Sequence, residues 1–246
     1  MLFTTSWDDG YKKDLKVADL LSEYGMTGTF YVCPKIQFKE AMLTKDEIRV
    51  LSRTNEIGAH TINHPKLTKI PQAEARKEIN ESKAWIEDIT GKPCTMFCYP
   101  YGDHNADIAR MVRDAGFRGA RTVVPLEFSA TDPFTMPTTL QIYPFPWRRR
   151  WKRLSHYANP LGHDREYWKK LLHLHLPLKA HFTWLNCAKA LFDHALSTRQ
   201  PWFHLWGHSE ELQRYGMWGN LEKFLAFVQR HDIRHVTNAQ ILESIS

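Results

Sequence analysis

The stretch Leu2–Val32, LFTTSWDDGYKKDLKVADLLSEYGMTGTFYV, carries the pattern that decides the fold. Leu2–Thr5 reads as a short apolar strand. Lys12–Tyr24 has amphipathic helical spacing and ends at Gly25, and Thr29-Phe30-Tyr31-Val32 is a second strand of aromatic and β-branched residues. Strand, helix and strand in this order make a βα unit, and the unit recurs. A helix follows from Lys45, with Thr44 and Glu47 spaced as a capping box. Glu56–Ala59 reads as the third strand, and Gln72–Ile89 as a long helix stopped by Gly91 and Pro93. Thr95–Cys98 is the fourth strand, Ala106–Ala115 a helix ending at Gly116, and Arg118–Val123 the fifth strand. An irregular, proline-rich stretch precedes the helix Asn186–Ser197 and the strand Trp202–Trp206. Leu221–His231 is a further helix, and His235–Val236 begins a final short strand. Repeated βα units predict an α/β fold with a parallel sheet and right-handed crossovers. With no linker, repeat or low-complexity tract, residues 1–246 are expected to form a single domain.

Length and composition agree with this. The 246 residues, 43% hydrophobic and 13% aromatic, suffice for a large core. No apolar run approaches the roughly 18 residues that span a membrane. The start lacks a basic stretch followed by a long apolar one, so the expectation is a cytoplasmic protein. Cys94 and Cys98, taken on one strand, would lie about 13 Å apart at ~3.3 Å per residue. A disulfide spans at most roughly 7 Å between Cα atoms, so these and Cys33 and Cys187 read as reduced thiols. The net charge of +6 is uneven. Residues 146–181 hold nine Lys/Arg and two Asp/Glu, opening with Trp147-Arg148-Arg149-Arg150-Trp151-Lys152-Arg153, and read as a basic insertion.

The polar residues fall at particular places on this map. Asp8-Asp9-Gly10 follows the first strand, and His60-Thr61-Ile62-Asn63-His64-Pro65 the third. Tyr99-Pro100-Tyr101-Gly102 follows the fourth, and His208 the strand at Trp202–Trp206. All lie at C-terminal strand ends, the face on which barrel active sites are built. Taken singly, Asp-Asp-Gly is a turn sequence, and two histidines at i and i+4 can be a solvated helix face. Pro65 disfavours helical geometry at His64, which puts the pair in a tight loop instead. A carboxylate with two histidines makes a facial metal site, and the second carboxylate is then free to act as a base on water. That combination points to metal-assisted hydrolysis. His208 competes with His204, but His204 lies inside its strand and reads as a packed or hydrogen-bonded structural histidine.

Ser6-Trp7-Asp8-Asp9-Gly10, His60–Pro65, Tyr99-Pro100-Tyr101-Gly102 and Trp206-Gly207-His208 resemble the ordered motifs of polysaccharide deacetylases, the NodB-homology carbohydrate esterase family 4. The resemblance runs from about residue 3 to 125 and again from about 184 to 240. It implies a distorted (β/α)7-8 barrel and a divalent metal, most often zinc, that removes acetyl groups from N-acetylated sugars or glycans. Position by position, Asp9, His60 and His64 would hold the metal, and Asp8 would be the general base. The backbone N–H of Tyr101 would stabilise the oxyanion, and His208 would protonate the leaving amine.

The chain departs from the family pattern at informative places. The third motif usually begins with an arginine that pairs with the catalytic aspartate, and Cys98 stands there instead. Arg121, at the end of the fifth strand, is the candidate replacement. The family's aspartate-and-tryptophan motif is not recognisable in residues 124–145, and Trp206 stands where a leucine lines the acetyl pocket. Other readings are an amide or imide hydrolase acting on a non-sugar C–N bond, and a non-catalytic carbohydrate-binding relative. The presence of both Asp8 and Asp9 argues against the second, since binding needs no base. The basic, tryptophan-bearing insertion suits an anionic substrate or surface. It also has the arginine–aromatic mix of a nucleic-acid binder, although a nucleic-acid partner is not expected.

Overall fold

Strand β1 (Leu2–Trp7) organises the molecule, because three other strands hydrogen-bond to it. The computed structural model describes residues 1–36, 40–146 and 165–245. In chain order after β1 come α1 (Asp14–Glu23), β2 (Thr29–Val32), α2 (Lys45–Leu51), β3 (Glu56–Ala59) and α3 (Gln72–Thr90). Next are β4 (Met96–Cys98), α4 (Ala106–Asp114), β5 (Gly119–Arg121), β6 (Leu140–Gln141), α5 (Arg165–His173) and α6 (Trp184–Ser197). Last come β7 (Trp202–Gly207), α7 (Ser209–Arg214), α8 (Trp218–Val228), β8 (Arg234–His235) and α9 (Asn238–Ile241).

All the ladders are parallel, in the order β5-β4-β3-β2-β1-β7-β6, with β8 beside the start of β1. The far edges meet through the intervening chain: Thr122 N donates to Met136 O at 2.8 Å and Thr138 N to Val124 O at 2.9 Å. The sheet is therefore curled into a distorted α/β barrel. Alternate residues of a strand point to opposite faces. The outer face is apolar: Phe3 packs on Phe192, Phe203 and Phe224 with ring centres 6.1–6.3 Å apart. Cutting Phe3 to alanine would cost about 3–5 kcal/mol. The inner face is mixed. Tyr31, Met96, Cys98 and Trp202 lie there among Thr4, Ser6 and His204, all of them buried. Inside, Ser6 Oγ and His204 Nε2 are 2.8 Å apart, and Thr4 Oγ1 donates to Asn238 Oδ1 at 2.9 Å.

Local chemistry explains most boundaries. Thr44 and Glu47 form the expected capping box on α2, and Gly91 closes α3 in the left-handed conformation. All four cysteines are free thiols. Some sequence expectations need correction. The proline-rich stretch contains β6 and α5, a two-residue strand and a helix that turn signals concealed. The helix expected at Leu221–His231 begins at Trp218, just after Gly216 turns the chain with a positive φ. The helix expected from Lys12 begins at Asp14, because Tyr11 makes an antiparallel bridge to Met42. No helix of the described residues is long and apolar enough to cross a membrane. Arg148, Arg149 and Arg150 lie outside the described residues, as does half of the basic insertion.

Candidate active site

The C-terminal ends of β1, β3, β4, β5 and β7 converge on a cavity of about 940 Å³. Asp8, Asp9, His60, His64, Tyr101 and His208 all line it, so residues far apart in sequence share one wall. Their backbones are unusual. Asp9, Thr61, His64 and Tyr101 have φ values between 58° and 79°, a left-handed conformation that non-glycine residues seldom adopt. Such strain persists where surrounding contacts fix it.

Those contacts are visible. Glu78, on α3, accepts hydrogen bonds from Ile62 N at 2.8 Å and Asn63 N at 2.9 Å, which pins the loop between the two histidines. Thr61 Oγ1 accepts from His64 N at 3.0 Å. Asp103 grips the following turn, accepting from Thr68 N and Thr68 Oγ1, each at 2.8 Å. After Tyr101, Gly102 must also take a positive φ, and a Cβ there would lie 2.4 Å from the Val123 side chain.

The two adjacent aspartates have opposite surroundings. Asp8 is ion-paired with Arg121, and both are buried. Burial pushes the Asp8 carboxyl up, but the Arg121 guanidinium, with His60 and His208, outweighs this and holds it below the usual carboxylate range. Among the described residues no guanidinium pairs with Asp9; its Oδ2 faces His208 Nε2 at 3.7 Å instead. Burial raises it to about 6, against the pull of His208. Its Oδ1 has no hydrogen-bond partner and lies 3.6 Å from His60 Nε2 and 3.5 Å from His64 Nε2. The two imidazole Nε2 atoms are 3.0 Å apart. His60 Nδ1 is 2.7 Å from the Cys98 carbonyl, so it carries the proton and leaves the Nε2 lone pair facing Asp9. Burial lowers His60 to about 3 and His64 to about 4, which keeps both neutral.

This set fits a divalent ion. An unpartnered buried carboxylate oxygen and two neutral ring nitrogens, one held by a backbone carbonyl, is the donor chemistry of a His-His-carboxylate site. Asp8, His60 and Cys98 also converge, but that set fits poorly. Arg121 already occupies Asp8, and burial pushes the Cys98 thiol well above its usual value, so it stays protonated.

His208 sits across the cavity, with Nε2 at 3.7 Å from Asp9 Oδ2 and Nδ1 at 2.9 Å from Glu211 Oε2. Burial lowers its pKa, but Glu211 and the two aspartates raise it further, to about 9. It therefore favours its charged form at neutral pH. His204 is fully buried instead, with Nδ1 3.3 Å from Pro137 O and Nε2 on Ser6, away from the cavity lining. Tyr101 is exposed on the rim, its ring packed against His64 at 4.6 Å.

The sequence reading missed Glu78, Asp103 and Glu211. Only Glu211 leaves a local signal, three residues after His208 on the same turn.

Residues 2–120 match the family model described as polysaccharide deacetylase. That stretch, just under half of the chain, is similar to the polysaccharide deacetylase family. Over 99 residues it is 33% identical to the peptidoglycan-N-acetylmuramic acid deacetylase PdaC of Bacillus subtilis, covering 40% of this chain and 20% of that protein. Over 109 residues it is 28% identical to the peptidoglycan-N-acetylglucosamine deacetylase PgdA of Listeria monocytogenes, covering 44% and 23%. The chain thus spans about a quarter or less of these curated relatives. In fold, the chain is similar to a family 4 acetyl xylan esterase from Clostridium thermocellum, with a TM-score of 0.60 at 14% identity, over 99% of this chain and 91% of that one.

Proposed function

We propose that this protein is a metal-dependent hydrolase that removes the N-acetyl group from an N-acetylated sugar or glycan. The observation that carries the reading is the contrast between neighbours: Asp8 is held as a carboxylate by Arg121, while Asp9 turns an unpartnered oxygen to two neutral imidazoles. That contrast supports one aspartate as the base and the other as a ligand.

Asp9, His60 and His64 would hold the ion, with zinc the best match to one oxygen and two nitrogens; it supplies Lewis-acid polarisation of the acyl carbonyl and activation of water. Arg121 takes Asp8 Oδ1, which leaves Oδ2 to accept the proton of the attacking water. The Tyr101 backbone N–H, turned by its positive φ, is the candidate donor to the developing oxyanion. As the C–N bond breaks, His208 Nε2 gives its proton to the departing nitrogen, while Glu211 holds Nδ1. The products are acetate and a free amine. Names of the relatives support a cell-wall glycan as the substrate class. The cavity supports it too, since Tyr101, Tyr143, Phe145 and Trp168 bring aromatic rings to its lining, a surface type that suits sugar rings.

The test is acetate release from N-acetylated sugars, nucleotide-sugars and peptidoglycan fragments, before and after chelation. Full activity in a metal-free preparation would overturn the mechanism. Release from simple non-sugar amides alone would move the substrate class.

A further inference from the structure

Two side chains that the motifs do not explain, Cys98 and Trp206, meet on one guanidinium. The Cζ of Arg121 lies 4.8 Å from the Trp206 ring centre and 5.3 Å from that of Tyr31. Tyr31 is fully buried beneath it in the barrel, whereas Trp206 is 8% exposed and lines the cavity. The indole is thus the wall between the guanidinium and the substrate space. Few acceptors hold Arg121: Nη2 is on Asp8, Nη1 reaches Thr122 O at 3.3 Å, and Nε has no hydrogen-bond partner. A guanidinium with five donors and two acceptors is held as much by its flat faces as by its fork. Neighbouring Cys98, whose Cα pairs with that of Arg121, is small enough to leave this space to the cation.

We propose that Trp206 is a positioning residue for the base, acting through Arg121: it seals the guanidinium from water and so keeps Asp8 as its partner. Removing the indole admits water to Nε and Nη, which competes with Asp8 and loosens the carboxylate. The kinetic part rests on the hydrolase reading; the spectroscopic part does not.

In protein labelled with ¹⁵N-arginine and loaded with zinc, the wild type should show a slowly exchanging guanidinium signal, assigned by its loss in Arg121→Lys. Trp206→Leu should speed that exchange at least about tenfold, while Trp206→Phe, which keeps an aromatic face, should retain most of the protection. With an acetylated substrate, Trp206→Leu should lower kcat about ten- to thirty-fold with little change in KM. In an Arg121→Ala background the same substitution should cost nothing further, since the two act as one unit. Trp206→Met replaces the leucine variant in both measurements if that one fails to fold. Unchanged guanidinium exchange overturns the proposal, whatever the substrate proves to be. So does an equal kinetic cost in both backgrounds, or a loss confined to KM, which would make Trp206 a substrate contact. A wild type that releases no acetate fails the hydrolase reading and leaves the exchange experiment to decide Trp206.

Discussion

Cys98 and Arg121 are Cα partners across the β4–β5 ladder, and both side chains reach Asp8: the guanidinium pairs with Oδ1, and the thiol lies 3.8 Å from Oδ2. A cation beside Asp8 is therefore accessible from either strand without any shift of backbone. Moving the cation across the ladder should be tolerated. Cys98→Arg combined with Arg121→Ala is expected to recover at least about tenfold of the kcat lost in Arg121→Ala alone. Steady-state acetate release from the three variants measures it, and no recovery would mean that only the β5 route orients the base.

Asp8→Asn removes the proton acceptor but no member of the Asp9–His60–His64 set. The expectation is a kcat lower by about 10²–10⁴ with metal content unchanged. The same change leaves the Arg121 charge buried and unpaired, at a cost of about 3–5 kcal/mol. Asp8→Asn/Arg121→Met should accordingly melt above Asp8→Asn. If Asp8→Asn loses metal and Asp9→Asn keeps it, the two roles are exchanged.

Elemental analysis should find about one divalent ion per chain, and adding it should raise the melting temperature, by about 2.7 kcal/mol of stabilisation at a hundredfold excess over Kd. His60→Ala and His64→Ala should abolish that rise, whereas His208→Ala should preserve it and lose kcat. Equal loss of metal in His208→Ala would put that histidine among the ligands.

Stability should respond to pH through two buried groups of opposite sign. His204 titrates near 3, because burial disfavours its charged form, so the unfolded chain takes up a proton that the folded one refuses. Its contribution is full above the ordinary value of 6.5 and drains as pH falls towards 3. His204→Gln should flatten that acid limb. Burial pushes Asp14 well above the usual carboxylate range, outweighing Ser209 and His208. Its contribution is present below about 3.8 and lost as pH rises. Asp14→Asn should raise the melting point more at pH 7 than at pH 4, and an effect independent of pH would place the proton elsewhere.

The strands and helices of residues 2–121 were legible because each advertises itself locally, through β-branched runs, a capping box at Thr44 and Glu47, and glycines at positions 25, 91 and 116. Candidate residues were legible for the same reason, since each sits directly after such a strand. What the sequence hid is who faces whom. Nothing near Glu78 marks it as the anchor of the histidine loop, and nothing near Trp206 marks it as the cover of Arg121. Strand β6 was hidden because two residues carry no periodicity.

Strand β1 bears on the order in which the protein is made. Its partners on either side of Phe3 are Phe203 and His235, both near the end of the chain. A ribosome that has released the first 190 residues has delivered Asp8, Asp9, His60, His64 and Arg121, yet their strand still lacks its long neighbour β7 and the histidine beyond it. Closing such distant pairs is the slow part of folding. The residues proposed to hold the ion are thus supplied early and assembled last, so that a truncated or stalled chain carries Asp9, His60 and His64 but no finished site.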